Sequence, residues 1–169
     1  MKAGARIAAA IEVLETTLHR YQPISIALTD WGKAHRFAGS GDRNAIGGLV
    51  YDAMRRRASI VWAMGEDSPR ALALGAAASA LGITAESVAT ACDGTDHAPP
   101  PLSPAEQAGL TRSLSDAPEH IQADIPEWLW PSFSSQFGTD AIAEGQAMAR
   151  RAPADLRVNT LKSTPEKVL

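Results

Sequence analysis

The 169-residue chain has one cysteine, few aromatic residues and no long apolar run, and each scarcity excludes something. With Cys92 alone there is no intrachain disulfide and no cysteine metal cluster, which fits a reducing, cytoplasmic setting. Aromatics are only 5% of a chain rich in alanine, a balance that favours helix. Met1–Ile11 carries basic residues but too short an apolar run for a signal peptide. Ala71–Ile83 is too short to span a bilayer, so no membrane partner is expected. The four histidines, His19, His35, His97 and His120, have no ligand spacing, and Asp93 and Asp96 have no obvious partner acid. Gly39-Ser40-Gly41 lacks the third glycine, the preceding strand and the lysine of a phosphate loop, and reads as a structural turn.

Charge is present but segregated. Residues 1–60 carry nine Lys/Arg against five Asp/Glu, residues 61–149 carry two against twelve, and residues 150–169 carry five against two. Such blocks either pair with each other in the folded chain or leave a basic surface for an anionic partner.

The N-terminal chain is organised around Gly39–Arg57. The two glycines suit a tight turn, with Gly41 expected at φ > 0 and Asp42 as N-cap. Ile46, Leu49, Val50, Ala53 and Met54 then mark one face of a helix that closes on Arg55, Arg56 and Arg57. Arg55 falls opposite the apolar stripe and Arg56 beside it, both open to a partner. Arg57 falls back in line with the stripe and is expected to close the core or bind backbone carbonyls. Gly47 lies beside the stripe, where another helix could come close.

Before this helix come Ala3–His19 and a second helix with Pro23 in its first turn and Ile24, Leu28, Trp31 and His35 on one side. After it come a helical turn over Ser59–Gly65, a Ser68-capped helix to Leu81 stopped by Gly82, and a Thr84-capped helix to Cys92. An extended proline connector, residues 97–101, leads to a Ser103–Glu106 capping box whose helix runs to about Leu114. Pro126–Gly138 is helical, kinked at Pro131, with Trp128, Trp130, Phe133 and Phe137 mostly in the core, and a Thr139-capped helix runs to Arg151. Leu156–Leu161 alternates as a strand and Ser163–Glu166 opens another helix, so these residues are expected to begin a second domain that the chain does not contain.

Three segments together, Gly41–Arg57, Pro126–Gly138 and Leu156–Leu169, resemble the N-terminal part of the Sun/Fmu-like RNA cytosine-C5 methyltransferases. The resemblance implies an all-α, NusB-like helical bundle over residues 1–150 and, over 151–169, the first strand of a truncated α/β subdomain preceding an absent methyltransferase domain. S-adenosylmethionine would serve that absent domain and not this chain, which carries no counterpart of the family's two cysteines or its glycine-rich cofactor loop and is expected to be inactive alone. Partners are then RNA (rRNA or tRNA, not DNA) and the catalytic domain of the same polypeptide. Candidate RNA contacts are Arg36, Arg43, Arg55, Arg56, Arg150, Arg151 and Lys162, the first four expected to be brought together by a short turn between helices. The competing expectation is a protein–protein interaction bundle that does not touch RNA.

Overall fold

The computed structural model describes residues 1–153 and 155–168; Leu169, assigned above to the last helix, lies outside them. Among the described residues every regular element is helical: α1 (Ala3–His19), α2 (Ile24–Ala34), α3 (Ser40–Arg55), α4 (Arg57–Met64), α5 (Pro69–Leu81), α6 (Ala85–Ala91), α7 (Pro104–Thr111), α8 (Glu119–Gln122), α9 (Trp130–Phe137), α10 (Ala141–Met148) and α11 (Pro165–Val168). The core is the mutual packing of α1, α3 and α5. Ile46, Leu49, Val50 and Ala53 are fully buried, as their spacing on α3 requires, against Ile7 and Leu14 of α1 and Leu72 and Leu74 of α5. Alanines at 71, 73, 76 and 77 are buried as well, and their small side chains let three helices share one interior.

Local stop and start signals act as expected. Ser68 accepts from the Ala71 amide at 3.2 Å, and Gly82 ends α5 at φ 63°. Thr84 accepts from Ser87 at 3.1 Å, and Ser103 and Glu106 form a reciprocal capping box. Glu106 also takes Arg70 Nε at 2.6 Å, tying α5 to α7, and that hydrogen bond is the main reason its carboxyl is held below the usual range.

Several expectations are corrected. Gly41 does not adopt positive φ; α3 starts three residues earlier than an Asp42 cap would have it, with Gly39 as cap in extended backbone. Asp42 does not cap. Its carboxylate accepts from the Met1 ammonium at 2.9 Å and from Arg6 at 2.8 Å, fastening α1 to α3. Leu28 of α2 lies over Gly47, but at an ordinary 3.7 Å from where a Cβ would stand. Pro23 is the cap of α2, and α7 stops at Thr111. Pro131 lies in the first turn of α9, where its missing N–H costs nothing, so it starts a helix and does not kink one. No residue of α9 is fully buried: Trp128 is 79% exposed, Phe137 is exposed, and Trp130 and Phe133 are only half-buried, so this aromatic set is not part of the core. α10 spans Ala141–Met148 with no side-chain cap. The strand expected at Leu156–Leu161 does not form: residues 155–159 carry no regular structure and 160–162 make a turn. A strand needs a neighbour, and the described residues offer none.

α8, which has no sequence signal, joins α4 to α10. Its C-terminal neighbour Ala123 lies against Gly145 of α10 so closely that a Cβ at 145 would meet the Ala123 carbonyl oxygen. The two glycines therefore predict opposite outcomes. Gly41→Ala, in open space on a helix, should raise stability by up to about 1 kcal/mol. Gly145→Ala should lower it by roughly 1–3 kcal/mol. Urea midpoints measure both, and a fall for Gly41→Ala or no change for Gly145→Ala would contradict these placements.

Candidate nucleic-acid interface

Arg56 has φ −112° and ψ 25°, which interrupts the chain between α3 and α4 and leaves the first amides of α4 without intrahelical acceptors. Arginine has no acceptor to cap them. The cap arrives from far along the chain: Ser59 N–H donates to Asp124 Oδ1 at 2.8 Å, and Ser59 Oγ donates to Asp124 Oδ2 at 2.7 Å. Asp124 follows α8 and sits at φ 53°, a left-handed conformation that aspartate tolerates better than most residues. Burial pushes its carboxyl pKa up, against the Ser59 hydrogen bonds and the positive charge of Arg56.

This clamp fixes α8 on α4, and α10 follows. Gln146 Nε2 donates to Gln122 O at 3.1 Å, and Arg55 Nε donates to Ala149 O at 3.1 Å, closing a loop of 94 residues. A cleft of about 240 Å³ remains at this end of the bundle, lined by Arg56, Ser59, Gln122, Asp124, Gln146 and Arg150 among others. The amides of Gln122 and Gln146 are committed to carbonyl oxygens, and Asp124 is committed to Ser59. Arg56 and Arg150 form no hydrogen bond or ion pair with any described side chain. Arg56 and Arg150 thus both border this cleft, beside the Asp124 carboxylate, and a guanidinium is a planar fork of donors that suits a tetrahedral oxyanion.

The other candidate residues divide differently. Arg55 is spent on Asp52 at 2.6 Å and on Ala149, so it is not open to a partner. Arg43 folds back on the carbonyls of Ala38 and Gly32, at 2.9 and 2.8 Å, and braces the α2–α3 corner. Arg57 pairs with Asp67 at 2.7 Å and reaches neither core nor carbonyl. Arg36 and Arg151 are exposed, and Lys162 is exposed in the turn near the C-terminus. Arg36 and Arg43 stand at the start of α3, whereas Arg55 and Arg56 stand at its end, about 18 Å along the axis at 1.5 Å per residue. The expected foursome is therefore split, and Arg56 instead borders one cleft with Arg150. Cys92 is buried, and its thiol is pushed up mainly by that burial.

Only one ion pair among the described residues, Arg57–Asp67, links the basic N-terminal block to the acidic one. Direct ion pairing between the blocks is thus confined to that contact, although Arg56 also lies near enough to Asp124, and Lys2 to Asp93, for their charges to act on those carboxylates. Comparison with protein-family models, curated proteins and solved structures returns no match.

The Asp124 clamp has a pH signature. Its folded pKa lies above the unperturbed 3.8, so the native state binds more protons in the interval that begins there. Asp124 therefore makes stability fall as pH rises through that interval, and the loss is complete above the raised pKa. Asp124→Asn keeps an acceptor and cannot ionise, so its stability relative to the parent should be greater at pH 7 than at pH 3. Equal differences at the two pH values in urea unfolding would place the carboxyl in water.

Proposed function

We propose that this chain is the RNA-positioning module of an S-adenosylmethionine-dependent RNA cytosine-C5 methyltransferase acting in the cytoplasm on rRNA or tRNA. Its bundle is NusB-like, and its partner is the catalytic domain of such an enzyme. Two things support the reading: the resemblance of three separate segments to that family, and the pairing of Arg56 with Arg150. The second carries it. Two arginines from distant parts of the chain border one cleft without an ion-pair partner within 4 Å among the described residues, and a phosphodiester offers the several acceptor oxygens that their donor forks can take. Arg151 and Lys162 extend the positive charge along the emerging chain, and Arg36 gives a separate contact beyond the α2–α3 corner.

The second reading, a protein-docking module without RNA contact, is favoured by α9, where Trp130 stacks on Phe133 and Phe133 meets Phe137 at a tilt, with no residue fully buried. RNA affinity separates the two. Arg56→Gln should weaken binding of a single-stranded oligoribonucleotide whatever its sequence, and should make the salt slope shallower by roughly 0.7 per lost phosphate contact. Arg43→Gln, which removes only an internal brace, should leave the slope unchanged if the bundle stays folded by circular dichroism. An Arg56→Gln protein with parental affinity and slope would leave the docking reading standing.

A further inference from the structure

A second concavity, of opposite character, lies on the other side of α1. It is an open groove of about 1060 Å³ between the N-terminal half of α1, the end of α2 and the loop over residues 93–98. On the α1 side it is lined by small residues, Ala5 and Ala8 among them. Gly4 also lets the chain at Ala91 come close, because a Cβ there would meet the Ala91 carbonyl oxygen.

One wall is aromatic and held in place. Trp31 donates its indole N–H to Glu12 Oε2 at 2.8 Å, and His35 stacks on the indole with ring centres 4.3 Å apart and planes 16° apart. Phe37 stands edge-on to His35 at 5.7 Å and is 73% exposed. The facing wall is acidic. Asp93 is fixed by the amide and hydroxyl of Thr95, at 3.0 and 2.7 Å, and Asp96 is exposed with no ion-pair partner among the described residues. Around the groove Lys2 is set against Glu12, Asp93 and Asp96, and the Met1 ammonium is taken by Asp42.

We infer that this groove binds an arginine-bearing segment of a partner protein. A guanidinium is flat enough to lie on the exposed aromatic ring and carries the donor fork that carboxylates on the opposite wall accept. An excess of carboxylates repels a nucleic-acid strand, so charge selects a basic peptide over RNA here. The volume holds more than one side chain, which suits an extended segment. This goes beyond the RNA reading and uses none of its residues, so either can fail alone.

The test titrates the whole chain with the peptide acetyl-Gly-Arg-Gly-Arg-Gly-amide, and with its glutamate counterpart, following the Trp31 indole N–H by NMR. Saturable binding of the arginine peptide only is expected. Phe37→Ala and Asp96→Asn, both at exposed positions, should each weaken it by about fivefold, the size of one surface cation–π or charge-assisted contact. Arg56→Gln should leave it unchanged. No saturable shift at millimolar arginine peptide, or parental affinity in both variants, would overturn the inference. So would loss of single-stranded RNA affinity in Phe37→Ala with no effect on the peptide, which would make the wall a base-stacking surface.

Discussion

The carboxylate of Asp124 at the start of α4 is the contact on which the arrangement of the C-terminal half depends. α3 and α4 are separated by one non-helical residue, and a break of that kind leaves N–H groups that must find acceptors. No side chain next to the break can provide one. Once Asp124 does, α8 is fixed on α4, Gly145 allows α10 to lie against Ala123, and Arg55 takes the last carbonyl of that layer. Burying a carboxylate costs desolvation, which is why its pKa rises; withdrawing it would leave buried donors unsatisfied, at about 1–3 kcal/mol each. The clamp persists because the alternative is worse.

With the clamp in place the molecule has two chemically distinct ends. Ion pairs stay largely within their own charge block: Arg6 and Met1 meet Asp42, Arg55 meets Asp52, and Arg70 meets Glu106. The cations left over at the α3–α4 break therefore keep their field. The acids left over in the 93–98 loop keep theirs beside an aromatic wall. The two concavities therefore differ in their charge, arginines with one half-buried carboxylate at the first and three carboxylates with one lysine at the second.

What could be read from the sequence was what acts within about four residues. The Ser68, Thr84 and Ser103 caps, the Gly82 stop and the Ile46–Ala53 stripe involve neighbours in the chain, and residue types alone signal them. Asp42 misled because a carboxylate near a helix start has two possible uses, and the cations that claimed it lie 36 and 41 residues away. Asp124 left no trace, since its partner Ser59 is 65 residues distant and neither residue is unusual where it stands. The same limit hid which arginines were free: Arg43 and Arg55 are consumed by carbonyls that only the fold brings near. The α9 aromatics have helical spacing, but spacing cannot say whether a neighbouring layer exists to cover them. Leu156–Leu161 alternates as a strand should, yet alternation supplies no partner strand.

The proposed joint action of Arg56 and Arg150 on one phosphate depends on the Asp124 clamp, which fixes α8 on α4 beside the cleft that both arginines border. A double-mutant cycle tests it most directly, with affinity for a single-stranded oligoribonucleotide measured for Arg56→Gln, Arg150→Gln and the pair. Two arginines on one phosphate should be coupled, the double substitution losing clearly less than the sum of the single losses, by at least about 0.5 kcal/mol. Losses that add within experimental error would mean that the two side chains meet separate phosphates or none, and would contradict the account.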